Sequence, residues 1–459
     1  VTTSQGDPTG EATELLSALI RNACVNDGTP DSGGETRNAE LLRDHLSGSG
    51  VDLELFAARP GRDSLVARIE GSDPDAPTVV LMGHTDVVPV SPDGWSRDPF
   101  GGEVVRGTDA AGRPVEEVWG RGAIDMLNLT ATMAVAFRRL AARGWKPKGT
   151  LVYFAVPDEE AGGTWGAKWM LDHHAEVFAG RSGRCDYVLT EMGGWPHGGG
   201  RRVGISVGEK GIAWRRLRVG GTPGHGSMPF GADNAVVTAA EVVRRIAAHR
   251  PAAHLDDLWR ERVASLSVDA SVRDALLDPA RLIDTLAAMS PSRAKLLHAC
   301  THTTFSPNVV HGGVKTNVIP DEVLIDVDIR TVPGVRGDDV DEELRGILGD
   351  LADRVEVSRI FDDEATVSPT DTPMYEALER RTARVYPGAT LLPELIVGAT
   401  DSRFFRHRGT VAYGTGLFAP GVSFEQFASR FHGHDERIDT ASLGLCVDLW
   451  EGIAEDLLG

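Results

Sequence analysis

Apolar positions in this chain change period from segment to segment, and each change marks an element. Residues 11–22 carry apolar side chains at helical spacing. After the loop Asp31-Ser32-Gly33-Gly34, a second helix passes through Leu41-Leu42. Residues 51–57 and 64–69 predict the two strands of a hairpin. The run Val79-Val80-Leu81-Met82 is apolar without interruption and lies between turn-forming residues, the pattern of a strand buried on both faces. Residues 150–156 (TLVYFAV) and 186–190 repeat it. Between the first two, Leu129, Met133, Phe137 and Leu140 form a helical stripe, and 165–171 predicts another helix. Buried strands alternating with amphipathic helices predict an α/β fold with a central, mostly parallel sheet.

The pattern shifts after Gly208-Glu209-Lys210-Gly211. From there to about Arg330 the chain reads as an inserted smaller α/β domain. It holds a helix over 234–248, a helix-rich stretch over 255–299 and a strand over 323–330. In that strand Val323, Ile325, Val327 and Ile329 alternate with Leu324, Asp326, Asp328 and Arg330, so the period of two gathers Asp326, Asp328 and Arg330 on one face. The α/β style then resumes. A helix is expected over 372–385, a loop over 397–403, a strand over 410–413 and a closing helix over 440–457. The expected division is 1–210 and 332–459 as the two parts of one domain, with 211–331 inserted between them. No internal repeat, low-complexity tract or long linker interrupts it.

Chemistry collects where the buried strands end. The first stops at His84, with Asp86 two places on. The second runs into Asp158-Glu159-Glu160 and two glycines, and the third stops at Glu191. Asp125 stands just before the Leu129 helix. Each has a plain alternative. His84 and Asp86 fit a buried hydrogen-bonded pair as well as a metal ligand with its orienting partner. Asp125 fits a helix N-cap, and the three acids fit a solvated turn. Arg330 fits a cross-strand ion pair as well as a clamp for a carboxylate. Their repetition at one edge of a sheet, where open α/β sheets place ligands, points to a cation site.

Composition narrows the choice. The formal net charge of -20 disfavours nucleic acid and anionic membrane surfaces as partners. No apolar run reaches membrane-spanning length, and the opening residues lack the basic and apolar regions of a signal peptide. Cys24, Cys185, Cys300 and Cys446 are far apart and form no CxxC pair. They are expected to be buried thiols of a cytoplasmic protein, which leaves His and carboxylates for metal chemistry.

Taken in order, GHTDVVP (83–89), GRGAIDM (120–126), DEEAGG (158–163), Glu191, PGHGSMP (223–229), NVIP (317–320), DIR (328–330), TDSR (400–403) and HGHDE (432–436) resemble the M20 family of metallopeptidases and amidohydrolases across nearly the whole chain. The resemblance implies a di-zinc catalytic domain interrupted by a lid domain that often forms a homodimer. His84 and Glu191 would bind one ion, Glu160 and His432 the other, and Asp125 both. Cobalt or manganese could replace zinc. Asp86 would orient His84, and Glu159 would be the general base. His225 would reach the substrate carbonyl oxygen, and Asn317 and Arg330 would bind the substrate's backbone or carboxylate end. The implied substrate is a small peptide or N-acyl amino acid cleaved at an amide bond next to a free carboxylate. A succinyl-diaminopimelate desuccinylase or acetylornithine deacetylase activity is the alternative. A catalytically dead binding protein on the same scaffold would have lost a ligand or the base, and none is lost. The family's usual Met-Lys-Gly after the bridging aspartate is replaced here by Met126-Leu127-Asn128. His434 and the pairs His173-His174 and His298/His302 are expected to lie outside the site.

Overall fold

The uninterrupted apolar run becomes the middle of a sheet. In the computed structural model, which describes residues 6–108, 112–422 and 424–459, every residue of the strand Thr78–His84 is buried. It pairs in parallel with Thr150–Val156 on one side and Tyr187–Thr190 on the other. Val411–Gly414 continues the parallel set beyond Tyr187–Thr190. The hairpin Leu53–Arg59 and Arg62–Ile69 closes the opposite edge antiparallel to Thr150–Val156. The fold is therefore the expected α/β class. Of the opening stretch read for a leader, Val1–Gln5 lies outside the described residues. Among the described residues no helix is long and apolar enough to cross a membrane.

Side-chain alternation sorts the sheet's two faces. Val80, Met82, Val152, Phe154 and Val188 pack with Phe178 and Phe405 on one. On the other, Tyr153 donates from its hydroxyl to the Thr130 carbonyl at 3.1 Å, within the helix Leu127–Ala142. That helix is braced in turn by the closing helix Thr440–Leu458, whose Trp450 Nε1 donates to Thr132 Oγ1 at 3.1 Å. Each such buried side chain stabilises by roughly 1.5–3 kcal/mol, against about 0–1 kcal/mol for an exposed ion pair. These two layers, and not the abundant surface ion pairs, hold the sheet. Gly83 lets the Thr130 helix approach its strand, because a Cβ there would overlap Thr130.

Two compact units make up the chain. The first spans 1–207, 368–394 and 400–459, and the second 208–367 with 395–399. Residues 332–367, assigned above to the larger domain, pack in the second unit, because Val340, Leu344 and Leu348 of the helix Gly337–Leu348 join its core. That core also holds Val323, Ile325, Val327 and Ile329, the apolar face expected of the strand Glu322–Thr331. Within the same unit the helix-rich stretch forms four helices over 257–301, with a small core of its own around Trp259, Leu276 and Leu286.

The sequence pattern gave no sign of a small sheet in the first unit. Glu103–Thr108, Pro114–Trp119 and Arg437–Asp439 pair antiparallel, with Arg437 opposite Trp119. Its effect is local and large: it carries the 432–436 segment to the 120–125 segment, where Gly120 N–H donates to the Glu436 carbonyl at 3.0 Å.

Candidate metal centre

The parallel strands deliver their polar ends to one place. His84 is the last residue of its strand and is buried; its register partner Val156 leads into Asp158-Glu159-Glu160, and Glu191 follows Thr190. Asp125 lies beneath them, between the two imidazoles. Its Oδ1 is 3.2 Å from His84 Nε2 and its Oδ2 is 2.7 Å from His432 Nε2. Glu191 Oε2 stands 4.0 Å from the same His84 nitrogen, and Glu160 Oε2 3.5 Å from the same His432 nitrogen. Asp125 is not the helix cap. Met126 occupies that position and the helix has no side-chain cap bond, so both aspartate oxygens are free for the histidines.

The acid next to His84 grips the neighbouring loop. His84 Nδ1 is 3.0 Å from the Asp86 main-chain oxygen and 3.7 Å from its carboxylate. A donor Nδ1 leaves the Nε2 lone pair available to a cation. The Asp86 carboxylate instead accepts from Glu159 N–H at 3.3 Å, from Glu160 N–H at 3.1 Å and from Asn26 Nδ2 at 2.8 Å. Asp158, Met192 and His432 each have positive φ. Left-handed backbone at non-glycine positions costs on the order of 1 kcal/mol or more, and here it falls immediately beside Glu159, on the residue after Glu191, and on His432 itself.

The charge balance calls for cations. Four acids (Asp125, Glu159, Glu160 and Glu191) surround two imidazoles, and among the described residues no Lys or Arg pairs with any of the four. Glu160 Oε1 is buried without a hydrogen-bond partner. Ligand atoms of His84, Asp125 and Glu160, and of His84, Glu159 and Glu191, form two groups, each within a 4.8 Å span. Uncompensated buried carboxylates are costly, and this donor set of imidazole and carboxylate fits divalent transition ions.

Protons take over that balance when no cation is bound. Burial, only partly offset by His84, raises Glu159 well above the carboxylate range; burial and the Glu159 charge do the same to Glu191. Burial and Asp125 push Glu160 up to about 7. Burial opposes charge on the histidines, yet bonds to Asp125 outweigh it. His84 is held well above its ordinary value, and His432, also bonded to Glu160, reaches about 10. Asp125 is pulled down by the two histidines against its burial.

A pH dependence follows for the metal-free chain. Folded Glu160 keeps its proton from the ordinary 4.5 up to about 7, where the unfolded chain has lost it, so its contribution falls as pH rises through that window. The contribution of His432 is complete below 6.5 and is lost as pH climbs through about 10. Both signs agree. Thermal melts from about pH 5 to about pH 9 should show the chelator-treated protein losing stability steadily, while the gain from added metal widens, because the ligands must shed protons to bind. A gap that narrows with rising pH would contradict this.

The remaining expected site residues lie in the second unit. His225 sits in a short exposed strand opposite Val318, and Gly226 N–H donates to the Asn317 carbonyl at 2.9 Å, so His225 and Asn317 are neighbours. Ser227 N–H donates to His225 Nδ1 at 3.2 Å. The neutral ring then carries its proton on Nε2. Arg330 lies on the polar face of its strand, where Nε donates to Asp328 Oδ1 at 2.8 Å and the guanidinium stands 5.7 Å from the Trp214 ring. His434 meets Trp95 edge-on, His173 stacks on Trp169, and His298 stacks on His302, apart from the ligand groups.

Residues 80–456 match the family model for peptidase family M20/M25/M40. The chain belongs to that family. As an M20 enzyme it is a hydrolase of amide C–N bonds. It is 28% identical over 400 residues to the N-fatty-acyl-amino acid synthase/hydrolase PM20D1 of Xenopus tropicalis, covering 85% of this chain and 74% of that one. It is 26% identical to mouse (Mus musculus) aminoacylase-1 over 95% of this chain and 92% of the other. The fold matches an M20 family metallo-carboxypeptidase, Sso-CP2 of Sulfolobus solfataricus, with a TM-score of 0.71 at 17% identity over 97% of this chain and 99% of that one.

Some supports of the M20 centre escaped the sequence. Glu436 is buried. Its Oε1 accepts from Ile124 N–H at 2.8 Å and Asp125 N–H at 3.2 Å, and its Oε2 from Arg121 Nη1 at 2.6 Å. It therefore fixes the main chain that presents Asp125, and its place in HGHDE was the available signal. Arg403 of TDSR donates from Nη2 to the Gly162 carbonyl at 2.8 Å, closing the turn after Glu160.

Proposed function

We propose that this chain hydrolyses the amide bond next to a free carboxylate in dipeptides or N-acyl amino acids, using two zinc ions. The observation that carries the proposal is the division of Asp125: one oxygen faces His84 and the other faces His432, each imidazole nitrogen also within 4.0 Å of a further acid. His84 and Glu191 would hold one ion, Glu160 and His432 the other, and Asp125 both. The same ligands suit cobalt or manganese. Bound there, the ions supply Lewis acidity that polarises the scissile carbonyl and lowers the pKa of water.

Glu159 takes the proton of the attacking water and passes it to the leaving nitrogen. His225, with its proton on Nε2, donates to the oxygen that gains charge. Arg330 offers a planar fork to the substrate carboxylate, and Asn317 its amide to the substrate backbone. Asp86 keeps His84 and the Glu159 loop in place through the bonds described above.

The second unit is assigned as the lid and the homodimer surface. Met228, Phe230, Val237, Val310 and Val314 are exposed on or beside the His225 strand, the Ala235–Ala248 helix and the strand Thr304–Gly312. Apolar residues grouped in this way mark a contact surface. The four cysteines are all unpaired, which fits a cytoplasmic protein.

The test is amino-acid release from a panel of dipeptides, N-acyl amino acids and an N-succinyl diamine by the zinc-loaded protein, with and without chelator. Chelator-sensitive release from a dipeptide or N-acyl amino acid is expected. Release from the succinylated diamine alone would move the assignment to a biosynthetic deacylase.

A further inference from the structure

Behind the metal centre lies a buried ionic network that none of the expected roles uses. Arg62 opens the second strand of the hairpin and is only 3% exposed. Its Nη1 donates to Glu35 Oε1 and lies 3.6 Å from Asp158 Oδ1; its Nη2 donates to Asn26 Oδ1 at 3.1 Å. Asn26 Oδ1 also accepts from Gly28 N–H and Ser32 Oγ, so the amide is turned with Nδ2 toward the acids. That nitrogen donates to Asp86 Oδ2 at 2.8 Å and to Asp158 Oδ1 at 3.4 Å. The space is reserved for this arrangement: a side chain at Gly33, whose φ is +88°, would overlap Arg62 and Glu35.

Asp86 and Asp158 are the two carboxylates that hold the Glu159 turn. Asp86 accepts the N–H groups of Glu159 and Glu160, and Asp158 Oδ2 accepts Trp165 N–H at 2.8 Å. Asp158 itself is left-handed, with φ at 73°, so the turn needs those bonds to persist. The two carboxylates share one donor, Asn26 Nδ2, and Arg62 holds that amide by its oxygen. Among the described residues Arg62 is the cation in ion-pair reach of Asp158, and Asn26 carries its orienting effect to Asp86.

We infer that Arg62 is a positioning residue for the Glu159–Glu160 turn, acting through Asp158, Asn26 and Asp86. This rests on Glu159 being the general base. The alternative is that Arg62 only neutralises Glu35 and helps the chain fold.

The test uses the full zinc-loaded chain with Arg62→Met, Arg62→Lys and Asp158→Asn. Bound metal, amide hydrogen exchange, kcat and KM are read together. Arg62→Met should keep two ions per chain and exchange the amides of Glu159, Glu160 and Trp165 about tenfold faster, with the Thr78–His84 strand unchanged. Its kcat should fall about 10–100-fold with KM within about threefold, the scale of a small misplacement of a reacting group. Arg62→Lys should recover part of both losses. If Arg62→Met does not fold, Arg62→Lys and Asp158→Asn must each show the local exchange and the kcat loss in smaller measure. Folded variants with unchanged kcat and a protected turn would overturn the inference, as would faster exchange spread evenly over the fold. Wild-type protein that cleaves no amide, while the exchange results hold, would sink the functional reading and leave the positioning role standing.

Discussion

Glu159→Gln is expected to bind two metal ions as the wild type does and to turn over about 10²–10⁴-fold more slowly, the scale of a lost general base. Glutamine keeps the shape of the side chain and removes its ability to accept and return a proton. The main-chain bonds from Glu159 and Glu160 to Asp86 do not involve the altered group and should survive. KM should change little, because the substrate carboxylate is assigned to other residues. The substitution also separates two roles that the geometry leaves close together. A Glu159 oxygen belongs to a compact group with His84 and Glu191, so a side chain acting as a ligand would lose metal when neutralised. Metal analysis alongside kinetics decides: two ions with lost turnover supports the base, and one ion supports a ligand.

Asp125→Ala is expected to weaken both ions at once, by more than the roughly 10–100-fold of a change behind the ligands. Among the described residues no other side chain ion-pairs with both histidines, at 3.2 Å and 2.7 Å. Loss of the bridge leaves His84 and His432 with Glu191 and Glu160, at 4.0 Å and 3.5 Å. Competition with a chromophoric chelator measures the affinity directly. Retention of one tight ion would show that the two sites are independent and that Asp125 serves only one of them. In the metal-free state the same variant should also lose part of its stability below neutral pH, since bonds to Asp125 lead the groups that raise both histidines.

How far the sequence went depended on whether a residue's signal was local. Strands such as Thr78–His84 and Thr150–Val156 were legible because burial on both faces forces an unbroken apolar run. The alternation of Glu322–Thr331 was equally plain, since one face packs and the other does not. The acids at the strand ends stood out because carboxylates are rare after such runs. The Glu103–Thr108 and Pro114–Trp119 pair was not legible, for its strands are largely exposed and lack an apolar face. Arg62, Glu35 and Asn26 stayed hidden for a different reason. Each is unremarkable in its own segment, and they meet only because the hairpin edge and the loop after the first helix close over the Asp86 turn. A buried ion pair between distant segments has no local pattern to read. Residues 332–367 similarly follow the end of the long strand Glu322–Thr331, and their packing against it depends on a helix whose apolar stripe does not say which core it joins.

The proposed hydrolysis depends on a metal centre split by Asp125. Anomalous diffraction at the zinc edge, from crystals grown with zinc, tests that most directly. Two peaks are predicted, one between His84, Glu191 and Asp125 and the other between His432, Glu160 and Asp125. A single peak, or peaks away from the Asp125 carboxylate, would contradict it.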